Sequence, residues 1–108
     1  MAALSIVQTG QAGAAPGLVA VSGGGDSFPI VNRDQKFHFK NTDAAARNVT
    51  FVAQSKCNLG VLHNVVVNVP AGTERVVSGI DPQFFGDSAQ RVQLTYDASA
   101  NLSVTSYV

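Results

Sequence analysis

Cys57 and His63, six residues apart, are the side chains whose types come nearest to a nucleophile and its base, and His38 is the only other soft ligand. A thiolate paired with an imidazole also needs a third group to orient the base and donors to hold a developing oxyanion. Neither is legible around these residues. Structural zinc is held by closely spaced Cys and His pairs, and His38, Cys57 and His63 contain no such pair, so neither a metal nor a cofactor is expected. The seven acidic residues are scattered, and all but Glu74 lie in or beside turns, where Asp serves local hydrogen bonding rather than paired carboxylate chemistry. Gly23-Gly24-Gly25-Asp26-Ser27 resembles a phosphate loop only in its glycines. It lacks the Lys-Ser/Thr ending and the following helix that would place amides and positive charge on a phosphate. No catalytic residue is assigned, and the chain reads as a non-enzyme.

The composition turns attention from chemistry to surfaces. Only 13% of the 108 residues are charged and 45% are hydrophobic, against a usual charged share of ~25%. Two accounts of the outer surface are open: copies of the chain or a partner cover part of it, or Ser, Thr, Asn, Gln and Gly supply the polarity. Seven basic residues balance seven acidic ones, so no field gathers phosphates and nucleic acid is not an expected partner. The N-terminal stretch lacks the basic start and continuous apolar core of a secretory signal, and no run approaches the length of a membrane span. The sequence therefore points to assembly in a reducing cytoplasm with no membrane partner. The single cysteine forms no intrachain disulfide, leaving stability to the core.

The elements that must build that core are strands. No long segment keeps a helical period; alternation recurs instead, broken by Gly, Pro, Asn or Asp. Strands are predicted over Leu4 to Gln8, Leu18 to Val21, Phe28 to Val31, Lys36 to Lys40, Asn48 to Gln54, Val65 to Val69, Glu74 to Ser78, Arg91 to Tyr96 and Leu102 to Tyr107. Phe37 and Phe39 share one face, as do Val49, Phe51 and Ala53, the odd-numbered valines Val65, Val67 and Val69, and Val92, Leu94 and Tyr96. Pro29 belongs on an edge or at a strand start. Pro70-Ala71-Gly72-Thr73 is expected to close a hairpin between its flanking strands. Asp81-Pro82-Gln83-Phe84-Phe85-Gly86-Asp87 reads as a loop or one helical turn that Asp81 can cap.

These elements predict an all-β, two-sheet antiparallel sandwich, jelly-roll-like, with about eight short strands. Residues 1–17 form an N-terminal arm or first strand with a flexible Ala/Gly segment, and residues 18–108 form one domain. Phe84 and Phe85 have two accounts: one of them lies at a subunit contact, or both plug the open end of the sandwich. Leu4, Ile6 and Val7 of the arm, the pair Phe84 and Phe85, and the outward charges Arg75 and Arg91 are the residues expected to meet partners.

The run Val67-Asn68-Val69-Pro70-Ala71-Gly72-Thr73-Glu74-Arg75, continuing through Gly79, Pro82, Phe85 and Asp87 to Val92, Thr95 and Tyr96, resembles short head decoration, or cement, proteins of tailed bacteriophages. Phe37 to Asn41 and Val49 to Phe51 extend the resemblance to about two thirds of the chain. The segment around Cys57 to His63 and the Gly86-Asp87 pair depart from that pattern. The resemblance implies a virion protein on the capsid surface that binds the major capsid protein and copies of itself and stabilises the shell. A head-to-tail connector or tail component, and a carbohydrate or host-surface binding module, are the alternative functions.

Overall fold

A computed structural model describes residues 2–8, 10–13, 17–54 and 63–108. The chain forms strands β1 (Ala2–Ala3), β2 (Val19–Ala20), β3 (Asp26–Pro29), β4 (Lys36–Asn41), β5 (Arg47–Val52), β6 (Val65–Val69) and β7 (Glu74–Val77). The helical turn α1 (Pro82–Phe85), β8 (Arg91–Tyr96) and β9 (Leu102–Tyr107) follow. One sheet has the order β1-β3-β8-β5-β6 and the other β2-β9-β4-β7.

The pairing is that of a rolled ribbon. Four antiparallel pairs, β2 with β9, β3 with β8, β4 with β7 and β5 with β6, nest inside one another like one long hairpin. Successive pairs fall in alternate sheets, and β4 with β9 and β5 with β8 stitch the roll together. This is a jelly roll, in which the sheets face each other across one core. The parallel strand β1 is added outside β3.

Alternation decides which side chains enter that core. In β4, Phe37 and Phe39 are buried while Lys40 is exposed and Lys36 and His38 are half-buried. In β5 and β8, Val49, Phe51, Val92 and Leu94 are buried. Phe28, Phe37, Phe51 and Phe39 form a chain of edge-to-face contacts with centroid separations of 6.0, 5.1 and 5.9 Å. The four rings come from β3, β4, β5 and β4, so they interleave from the two sheets in turn.

Buried amides bracket this spine. The Gln35 amide nitrogen donates to the Pro29 carbonyl at 2.8 Å and to Ser106 Oγ at 2.8 Å, while its oxygen accepts from Val31 N–H at 3.0 Å. At the other end of β4, the Asn41 amide donates to the carbonyls of Ala45 at 2.9 Å and Val69 at 3.0 Å, and its oxygen accepts from Asp43 N–H. Each amide joins the two sheets. Their near-complete burial is tolerated because their polar atoms are satisfied.

Several sequence expectations shift. The turn at Pro70 to Thr73 forms, with Thr73 N–H donating to the Pro70 carbonyl at 3.2 Å and Gly72 at φ +68°. It does not close a hairpin: β6 pairs with β5 and β7 with β4, so the turn carries the chain from one sheet to the other. In the arm, the ladder is at Ala2–Ala3 rather than Leu4 to Gln8, with a separate bridge at Val7. β3 starts at Asp26, and Pro29 sits at its end beyond the reach of β1, which pairs only with Asp26 and Ser27. There the missing N–H disturbs no ladder.

Phe37 touches rings on both sides of the spine, so Phe37→Ala is expected to cost about 3–5 kcal/mol. Urea unfolding of the two proteins, followed by circular dichroism, measures that difference.

Candidate interaction surface

The arm seals one flank of the roll. Leu4 N–H donates to the Ser27 carbonyl at 2.8 Å on one sheet, and three residues later Val7 N–H donates to the Ser106 carbonyl at 2.8 Å on the other. Val108 N–H returns a bond to the Val7 carbonyl at 3.0 Å. Leu4 and Ile6 pack their side chains against the core. Arg91 joins the same seal: its guanidinium donates to the Leu4 carbonyl at 2.6 Å, the Ser27 carbonyl at 3.0 Å and Ser27 Oγ at 3.0 Å. Arg91, expected as an outward charge, is thus half-buried and bound to its own chain. The arm's backbone had to find partners somewhere, and Ser27 of β3 and Ser106 of β9 supply them.

The opposite flank is built from β6 and β7, the last strands of the two sheets. Val66 and Val76 are among the most exposed large apolar side chains, at 61% and 53%. Each is out of phase with the inward residues of its strand: Val65, Val67 and Val69 in β6, and Val77 in β7. Arg75 is exposed here, with its guanidinium on the Glu74 carbonyl at 2.8 Å. His38 faces the outer surface of the same sheet and is within 2.8 Å of the Glu74 carboxylate. The parity of the valine run carries the signal for Val66, because alternation that buries Val65 and Val67 turns Val66 out.

The helical turn forms a third feature. Asp81 caps it by accepting from Gln83 N–H at 2.9 Å, Pro82 occupies the first turn, and Phe84 accepts from Gln54 N–H through its carbonyl at 2.7 Å. Phe85 is buried in the core and Phe84 is half-buried against it. Beside them lies a depression of about 380 Å³ lined by Ile30, Val31, Pro82, Gln83, Gly86, Asp87 and Gln90. Val31, on its rim, is 53% exposed.

Two carboxylates each accept more than one hydrogen bond. Asp26, fully buried, accepts from the Tyr96 hydroxyl at 2.8 Å and from Ser22 N–H at 3.1 Å through the same oxygen. Burial, then the hydrogen bond and the charge of Asp26, push the Tyr96 hydroxyl well above its ordinary pKa of 10.0. Asp87 accepts from the N–H groups of Arg91 and Ala89 and from the Gln93 amide, and the Arg91 backbone bond is the largest cause lowering its pKa from 3.8. Both carboxylates organise turns. Cys57 lies outside the described residues, and His63 is exposed. Among the described residues, no three His, Cys, Asp or Glu side chains gather as a metal-binding group. No helix among them is long and apolar enough to cross a membrane.

Comparisons of the chain with protein-family models, with curated proteins and with solved structures return no match.

Two outcomes follow from the carboxylates. The Tyr96 pKa is raised on folding, so its contribution is full below pH ~10 and is lost as pH rises through the folded-state value. Tyr96→Phe is expected to lower stability by about 1–3 kcal/mol at neutral pH and to flatten the alkaline fall measured by urea melts. The Asp87 pKa is lowered, so its contribution is present above pH ~4 and is lost as pH falls through the folded-state value. Asp87→Asn should remove that acid-side dependence while leaving the alkaline limb in place.

Proposed function

We propose that this protein is a non-enzymatic virion structural protein that decorates a bacteriophage capsid, binding the outer surface of the major capsid protein lattice and stabilising it. The observation that carries this reading is a jelly roll of low charge whose arm laces one flank and whose surface presents isolated valines. A subunit that tiles a lattice works through many modest contacts, whose combined strength comes from multiplicity rather than from one deep site. A net charge of zero limits like-charge repulsion between neighbouring copies.

The α1 end supplies the anchor toward the shell. The depression beside Val31 is concave, is lined by both apolar and polar groups, and is held in shape by the Asp81 cap and the turn gathered by Asp87. A shell side chain seated there would be desolvated by Ile30, Val31 and Pro82, the kind of position where binding energy concentrates. Phe85 is buried in the core and Phe84 packs against it, and neither lines the depression.

Quantitative mass spectrometry of purified particles tests the reading directly. Decoration predicts a copy number near that of the major capsid protein or a fixed large fraction of it. A few per cent would assign the chain to a connector or tail, and absence would overturn a virion role. Val31→Glu is expected to reduce occupancy on expanded shells by at least about tenfold, with the melting temperature of the free protein unchanged.

A further inference from the structure

The backbone of β6 points to a second interaction that stands independently of any capsid role. Asp97 N–H donates to the Asn48 carbonyl at 3.2 Å, so the backbone groups of Asn48 face β8. Alternation then turns those of Arg47, Val49 and Phe51 toward β6, where they meet Val69, Val67 and Val65. Ala53 N–H, donating to Asn64 Oδ1 at 2.8 Å, continues the same phase. The N–H and C=O groups of Val66 and Asn68 therefore face away from the sheet, and no other described residue satisfies them.

The remaining edges are defended. β1 and β2 have two residues each. β7 carries Glu74 and Arg75, and the Arg75 guanidinium already covers the Glu74 carbonyl. β6, of sequence Val-Val-Val-Asn-Val, has five residues with no charge and no proline inside it, the composition of an edge that accepts another strand.

The geometry points to a second copy of this chain as that strand: two β6 edges pair antiparallel about a twofold axis through Val67, joining two five-stranded sheets into one. In this register Val66 lies opposite Asn68 of the second copy and Asn68 opposite its Val66, so both outward residues of each strand exchange N–H and C=O bonds. The pairing keeps inner and outer faces continuous. Val65 meets Val69, Val67 meets itself on the inner side, and no like charges oppose each other. The interface is isologous and closes at two copies. The four backbone groups left bare in one copy are the complement of those in the other.

A seam of this size is at the small end of specific interfaces, so a dissociation constant on the order of 10 µM is expected. Sedimentation equilibrium of the purified chain should show a concentration-dependent dimer. Val66→Pro removes an outward N–H that no other described residue uses, and it should weaken the dimer at least tenfold while the thermal transition of the monomer persists. A second measurement does not depend on that variant folding. In a Cys57→Ser background, Val67→Cys places two thiols across the axis at a Cα separation of about 4.5 Å, within disulfide range. It should oxidise to a covalent dimer, while Val76→Cys on β7 in the same background should not. A chain that stays monomeric to about 100 µM, ten times the expected constant, would overturn the proposal. So would a dimer that cross-links through Val76 but not Val67.

Discussion

The interleaving of four phenylalanine rings from alternate sheets is the contact on which the rest of this structure depends. Phe28 and Phe51 come from one sheet and Phe37 and Phe39 from the other, and each ring meets its neighbour edge-on, at interplanar angles of 74° to 79°. Edge-to-face packing aligns the positive rim of one ring with the negative face of the next. It thereby specifies how the sheets sit over one another as well as that they stay together. Valines and leucines fill the layer around the rings, and the close packing leaves every core strand with a defined face.

The polar interior refines that arrangement. Gln35 and Asn41 stand at the two ends of β4 and bond across to the opposite sheet, so the strand that carries two of the four rings is tied at both ends. Arg91 and the arm do comparable work outside the core, lacing β3 to β9 along one flank. The consequence for function is an asymmetry. One flank is closed by the chain's own N-terminal segment, and the other ends in β6 and β7 with valines and bare backbone groups outward. Among the described residues, large apolar side chains are exposed on that second flank at Val66 and Val76, on the rim beside α1 at Val31, and on β2 at Val19.

Much of the strand inventory was legible because a period of two is visible without any knowledge of partners. Phe37, Phe39, Val49, Phe51, Val92 and Leu94 are buried as their alternation requires. The Asp81 cap was legible for a similar reason, since Asp-Pro ahead of a short apolar pair carries its own local hydrogen bond. The surface was less readable. Arg91 looks outward by strand parity, yet the arm crosses beside it and draws its guanidinium onto the Leu4 carbonyl. The pair Phe84-Phe85 divides, with Phe85 in the core and Phe84 against its margin, because one helical turn points neighbouring side chains in different directions.

The sequence by itself determined the core strands from β3 to β9, their inward faces and the places where the chain must turn, since these rest on side-chain type and on interactions between near neighbours. Tertiary structure alone decided which strand lies beside which. Pro70 to Thr73 shows the difference: the turn has the same local hydrogen bond whether it closes a hairpin or passes between sheets, and only the prior claim of β5 on β6 and of β4 on β7 selects the second. The outward backbone of β6, which no other described residue pairs, is a product of that selection. An alternating pattern records which face of a strand is wet, and it holds no record of which edge is left without a neighbour.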